Sequence, residues 1–250
     1  MGIPKIIHYC WFGKNPLDPL TKMCKASWEK YYPDYEIMLW DEEKFDINKI
    51  PFTKEAYEHK KWAFVSDYVR LYALLSVGGI YVDTDFEIIK RLDDDILMNR
   101  ALIGYENDRW FSTAFIASEP NNEWIQLLLD YYNGRHFIEK DGSMHIKPNP
   151  IIVTEISKLK CGFQLGDDFM DVGGVKIMPT ISFSPYKRKD TIEHSAYMIS
   201  ETETYGIHHL AASWVDKKSI SRRIQKLLRP ILPMRIYALI VDIYNKITFK

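Results

Sequence analysis

The run Gly78-Gly79-Ile80-Tyr81-Val82-Asp83-Thr84-Asp85 closes a helix, lays down a short strand and ends it in two carboxylates. Paired glycines stop a helix because they reach backbone conformations that L side chains resist. The segment before them, Trp62–Val77, is apolar almost all round and reads as a buried helix. Ile80-Tyr81-Val82 is a β-branched and aromatic run of strand type. A buried helix feeding a strand whose carboxyl end carries acids points to an open α/β sheet, where the ligand crevice lies at the strand ends.

Towards the N-terminus the same alternation continues. Residues 5–11 read as a first strand, broken by Gly13 and Pro16. Asp18-Pro19 combines a capping carboxylate with proline at the first helical position. Leu20, Met23, Cys24, Trp28 and Tyr31 then recur at helical spacing, and Pro33 stops the run. Residues 35–40 form a second strand, so the chain opens β-α-β with parallel strands. Thr53 is expected to cap the next helical region. Further strands are expected at 86–89, 101–105, 113–117, 175–178 and 181–183, with Pro179 splitting the last two. Helices are expected at 123–132 and 151–159, with a surface loop over 133–149.

Bulk properties fit this picture. A chain of 250 residues with 46% hydrophobic and 27% charged residues has the length and composition of one large globular domain. The net charge of −1 provides no global field for nucleic acid. Three cysteines, Cys10, Cys24 and Cys161, lack metal-type spacing and read as free thiols of a reducing compartment. The opening apolar run is short and interrupted by Pro4, Lys5 and His8, unlike a secretory leader, and no uncharged stretch has the length of a membrane span. Cytoplasmic residence is the expectation. The division expected is 1–215 for the α/β domain and 216–250 for a C-terminal extension. That extension carries a net charge of +7, with Ile220, Ile224, Leu227, Leu228, Ile231 and Leu232 as an apolar stripe. It reads as a basic amphipathic helix able to lie on an anionic membrane surface, or as a helix packed on the domain.

Three groups of residues carry chemistry. Asp83 and Asp85 can aim oxygen ligands at one hard divalent cation, Mg²⁺ or Mn²⁺, with coordination positions left for phosphate oxygens. Asp67 and Arg70 are the charged residues of the buried helix and share one face at i,i+3 spacing. Either they pair with each other, or they reach a ligand as carboxylate to sugar hydroxyl and guanidinium to phosphate. His208-His209 and Ser213-Trp214 near the end of the domain offer an imidazole to Mn²⁺ and an indole N–H to a phosphate.

Ile3-Pro4-Lys5-Ile6-Ile7-His8-Tyr9-Cys10-Trp11-Phe12-Gly13, Ser66-Asp67-Tyr68-Val69-Arg70-Leu71-Tyr72, the Gly78 to Asp85 run and His208-His209 to Ser213-Trp214 together resemble the blocks of the bacterial family 32 glycosyltransferases with a DXD sugar-binding region. That family is similar to the glucosylating domains of large clostridial toxins. The resemblance implies a GT-A fold: a single Rossmann-like nucleotide-sugar-binding domain with a mixed sheet, here with a C-terminal helical tail. It implies a metal-dependent, retaining transfer of sugar from a nucleotide-diphosphate donor, with a UDP-sugar favoured. The acceptor would be a glycan or lipid-linked oligosaccharide of surface polysaccharide (capsule) assembly, reached from the cytoplasmic face of the membrane.

By this resemblance Asp83 and Asp85 hold the metal with His209 or His208, and Trp11 lies near the base or ribose. Asp67, Arg70 and Tyr81 face the donor, and Ser213 and Trp214 close over its diphosphate. Asn149-Pro150 departs from the Gly-Pro pair expected on the acceptor side. No carboxylate nucleophile stands out. Glu106 and Asn107, after an expected strand, are candidates to orient the reacting carbon or the acceptor. Two other readings stay open: a metal-dependent nucleotidyltransferase or nucleotide-sugar hydrolase, and a non-catalytic carbohydrate-binding protein.

Overall fold

The chain begins β1 (Ile6–Cys10), α1 (Pro19–Tyr31), β2 (Glu36–Trp40), α2 (Pro51–Glu58), α3 (Trp62–Val77) and β3 (Gly79–Val82) in the computed structural model, which describes residues 2–185 and 199–211. It continues β4 (Phe86–Ile88), α4 (Asp94–Leu97), β5 (Ala101–Tyr105), β6 (Phe111–Ser118), α5 (Glu123–Asp130), α6 (Asn149–Cys161), β7 (Met170–Val172), β8 (Val175–Met178), α7 (Thr180–Phe183) and β9 (Gly206–His208). Seven strands form one sheet in the order β2-β1-β3-β6-β5-β8-β7, and β4 pairs with β9 in a separate ribbon. Strand β1 is parallel to β2 and β3, as the β-α-β opening requires. Strands β6 and β7 run antiparallel to their neighbours, so the sheet is mixed. These elements belong to one compact unit, Met1–Leu210. The expected extension 216–250, and with it Ser213 and Trp214, lies outside the described residues.

Local chemistry explains the boundaries. The Asp18 carboxylate accepts the Thr21 N–H at 2.8 Å, satisfying a free donor at the start of α1. Gly78 caps α3 with φ +70°, and a β-carbon there would sit 2.7 Å from Pro120. Thr53 is a correction: it lies inside α2, and its hydroxyl donates back to Ile47 O and Ile50 O. Residues 181–183 are also corrected. They fall in the helical turn α7, because Pro179 caps a turn rather than separating two strands. Strands β7 and β9 and the turn α4 escaped the sequence reading. Each is three or four residues long, too short for a periodicity to develop.

Both faces of the sheet are covered. Tyr81, Ile103, Tyr105, Phe111 and Ile116 point into a core shared with α2, α3, α5 and α6. Their chain neighbours Ile80, Val82, Leu102, Phe115 and Ala117 point into a second core with α1, β4, α4 and α7. This two-residue alternation is the strand period itself, apolar in both phases because both faces are buried. His8, fully buried, ties β1 to the sheet's surroundings: Trp40 Nε1–H donates to its Nδ1 at 3.0 Å, so its Nε2–H donates to Gly78 O at 2.7 Å.

Candidate active site

The row His8–Tyr81–Ile116–Ile103 runs straight across β1, β3, β6 and β5. The residues just beyond it, Trp11 after β1, Asp83 after β3 and Glu106 after β5, therefore emerge at one edge of the sheet. This edge holds the carboxyl ends of the parallel strands, where α/β proteins place their ligands.

Asp83 is pinned on both its backbone and its side chain. Its N–H donates to Ala114 O at 2.9 Å. Its Oδ1 accepts the Tyr81 hydroxyl at 2.9 Å and faces Arg70 Nη2 at 3.2 Å. Arg70 also meets Asp67 Oδ1 at 2.9 Å and donates to Thr113 O at 2.8 Å and Ser66 O at 3.3 Å, with its guanidinium 4.8 Å from the centre of the Tyr81 ring. Asp67 and Arg70 are 8% and 5% exposed, so this pair is held away from water, while Asp83 on the other side of the guanidinium is partly exposed. Burial pushes the Asp67 carboxyl up to about 7 against the pull of Arg70, while Asp83 adds to the rise. For Arg70 burial disfavours the charge, but Asp83 and then Tyr81 and Asp67 outweigh it and hold the guanidinium firmly protonated. Of the two sequence alternatives, the structure shows the pairing of Asp67 with Arg70, and Arg70 also reaches the Asp83 carboxylate.

The turn after Asp83 returns the chain into β4, and β4 pairs with β9 so that Phe86 lies opposite His208. Asp83, Asp85 and His208 each offer one ligand atom, and these atoms lie within 4.8 Å of one another. His208 Nε2 stands 3.4 Å from Asp85 Oδ1, and its buried Nδ1 has no hydrogen-bond partner among the described residues. The nitrogen turned towards the acid pair is therefore Nε2. Burial lowers its proton affinity, but Asp85 and Asp83 overcome this and raise it. Two carboxylates and one imidazole fit a hard divalent cation of the Mn²⁺ or Mg²⁺ type and leave coordination positions for substrate oxygens.

The structure chooses between the two histidines. His209 Nε2 lies 2.9 Å from Glu87 Oε2, and its backbone N–H donates to Asp85 O at 2.9 Å. Its imidazole is turned to Glu87, and its backbone braces the acidic turn. Tyr81 sits inside the fold. At 1% exposure its ring belongs to the core, and its hydroxyl orients Asp83 rather than facing a donor. Trp11 is partly exposed at the edge, with Nε1–H donating to Asn15 O at 2.6 Å. Asn107 is spent on a turn, its Oδ1 accepting from Arg109 N and Trp110 N. Asn149 opens α6, and its Nδ2–H donates to the Tyr132 hydroxyl at 3.0 Å inside the core.

Comparison with known proteins bears on this edge. Residues 19–103 match the family described as glycosyltransferase sugar-binding region containing DXD motif, about a third of the chain. The match takes in Asp67, Arg70, Asp83 and Asp85 and stops short of Glu106 and His208. Human lactosylceramide 4-alpha-galactosyltransferase is 26% identical over 178 residues, covering 67% of this chain and 46% of that protein. Inositol phosphoceramide mannosyltransferase 3 of Schizosaccharomyces pombe is 33% identical over 96 residues, covering 37% of this chain and 27% of that protein. The chain spans about half the length of the first of these curated relatives. Among solved structures, the PaToxG glycosyltransferase superposes with a TM-score of 0.48 at 19% identity, covering 64% of this chain and 70% of that one. The two curated relatives are named as glycosyltransferases, and residues 19–103 of this chain match the sugar-binding region with its DXD motif.

Proposed function

We propose that this chain is a divalent-metal-dependent GT-A glycosyltransferase that moves a sugar from a nucleotide-diphosphate donor, a UDP-sugar by preference, to a lipid-linked glycan. The observation that carries this reading is the meeting of Asp83, Asp85 and His208 at the ligand edge of the sheet, with Arg70 directly behind Asp83. Two relatives support the acceptor class, since their names specify lactosylceramide and inositol phosphoceramide, both of them lipids. The basic stretch 216–250 fits the same reading, as a contact that would hold a cytoplasmic enzyme on an anionic membrane face.

A bound Mn²⁺ or Mg²⁺ supplies Lewis-acid stabilisation of the departing diphosphate. Asp83, Asp85 and His208 would hold that ion and leave its remaining positions to donor oxygens. Tyr81 and Arg70 fix Asp83 so that the carboxylate needs no reorganisation when charge develops, which is where preorganised groups are worth most. Asp67 shares the Arg70 charge and would act on the donor sugar through that pair. Trp11, on the β1 side of the same edge, would take the base or ribose. Retention of configuration would follow from same-face displacement. In it the bond from the anomeric carbon to the phosphate oxygen breaks, the bond to the acceptor oxygen forms, and the acceptor proton passes to the leaving diphosphate.

The test is a thermal-shift panel of UDP, GDP and CMP with Mn²⁺, Mg²⁺ or EDTA on wild type and Asp85→Ala. A ligand that binds only the folded state raises the melting temperature. A metal-dependent rise with one nucleotide, absent in Asp85→Ala, is the expected result and identifies the donor's base. No rise with any nucleotide would overturn the transferase reading in favour of a carbohydrate-binding protein.

A further inference from the structure

Glu106 is a carboxylate at the ligand edge that the described residues leave unpaired. It follows β5, two strands from Asp83 with the start of β6 between them. At the usual strand spacing that is a lateral separation of about 10 Å, roughly the span from a diphosphate-bound cation across one sugar ring. Trp11 lies on the opposite side, after β1. The edge therefore reads in order: Trp11, then Asp83 with Asp85 and His208, then Glu106.

The aim of Glu106 is fixed by its backbone. Its N–H donates to Trp110 O at 2.8 Å, and the Asn107 side chain closes the same turn. The preceding Tyr105 points to the other face of the sheet, where its hydroxyl donates to Gln164 O. The Glu106 side chain is partly buried and lies in the field of His208 and Asp83. Among the described residues, no hydrogen bond or ion pair reaches its carboxylate. Burial and Asp83 both raise its proton affinity against the pull of His208, as expected of an acid without donors. A partly buried carboxylate that no described donor reaches keeps its acceptor oxygens for a ligand at this edge.

We propose that this ligand is the attacking hydroxyl of the acceptor, and that Glu106 holds it against the anomeric carbon. This rests on the transferase reading. Glu106 accepts the hydroxyl's hydrogen bond and orients its oxygen while the carbon–phosphate bond breaks. The proton ends on the leaving diphosphate, so Glu106 is unchanged by the reaction.

The experiment uses the full chain with UDP-galactose, UDP-glucose, UDP-N-acetylglucosamine and GDP-mannose. Water or added lactose serves as the attacking hydroxyl, with Mn²⁺ present. Wild type, Glu106→Gln, Glu106→Asp and Asp85→Ala are compared. Glu106→Gln should lower kcat about 100-fold, the usual loss when a reacting group is misplaced. The donor KM and the Mn²⁺-dependent thermal shift with nucleotide should be retained, and Glu106→Asp should recover part of kcat. Unchanged turnover in Glu106→Gln would overturn the proposal. So would loss of the Mn²⁺-dependent shift in that variant, which would make Glu106 a metal ligand, or donor binding without turnover in wild type. A wild type that neither binds nucleotide with Mn²⁺ nor turns over any donor would instead sink the transferase reading itself.

Discussion

Replacing Arg70 with methionine should be among the most damaging single changes in this protein. The guanidinium makes ion pairs at 2.9 Å to Asp67 and 3.2 Å to Asp83, and donates at 2.8 Å to Thr113 O, with its side chain 6% exposed. Removing one partner of a buried ion pair strands the other charge and costs about 3–5 kcal/mol. For a folded unit of this size each kcal/mol lowers the melting temperature by about 2–4 °C, so the expected fall is about 6–20 °C. Chemical unfolding of Arg70→Met against wild type measures it. Adding Asp67→Asn removes one stranded charge and should return about 1–3 kcal/mol in a double-mutant cycle. The deficit also depends on pH. Asp67 is raised to about 7 in the folded protein, above its unfolded value. Its contribution is therefore fully present below about pH 4 and lost as pH rises through 7. The gap between Arg70→Met and wild type should be wider at pH 8 than at pH 5.5. A cost under about 1 kcal/mol at pH 8, or no recovery with Asp67→Asn, would refute the idea that one buried cation neutralises this cluster.

Three further outcomes are expected. His208→Ala should weaken Mn²⁺ binding by at least about tenfold in calorimetry, while His209→Ala leaves it near wild type; the reverse order would contradict the geometry. Gly206→Ala would place a β-carbon 2.4 Å from the Phe86 ring, forcing β9 off β4 and carrying His208 with it. It should cost about 1–3 kcal/mol in unfolding and also reduce Mn²⁺ affinity, and a variant with unimpaired metal binding would show that β9 does not set His208. Burial lowers the His8 proton affinity below 6.5, only partly offset by its bond to Gly78. A group depressed in this way stabilises the fold above its unfolded value and loses that contribution as pH falls below 6.5. Unfolding curves across pH 7.5 to 5 should show this acid loss in wild type and a flatter dependence in His8→Gln.

Much of the scaffold was legible because its signals are local. Asp18-Pro19 marks a helix start by chemistry that the helix end itself demands, and the structure returns that cap. Asp83 and Asp85 were legible as an acidic turn at a strand end because the paired glycines and the short apolar run before them are local signals. Thr53 misled because threonine inside a first turn, bonded back to carbonyls, looks in sequence like threonine before it.

The sequence by itself determined a β-α-β α/β sheet, a buried helix with one acid and one base, and an acidic turn at the sheet's ligand edge. Periodicity, caps and paired glycines act within a few residues, so they can be read without knowing what lies across the fold. The tertiary structure alone decided that His208 and not His209 lies with Asp83 and Asp85, that Tyr81 serves Asp83 from within the core, and that Glu106 has no hydrogen-bond or ion-pair partner among the described residues. Adjacent residues on a strand point to opposite faces, so which of two neighbours meets a distant group depends on register. Here that register is set by pairing between β4 and β9, 120 residues apart in the chain, as when Phe86 lies opposite His208. No local pattern encodes it.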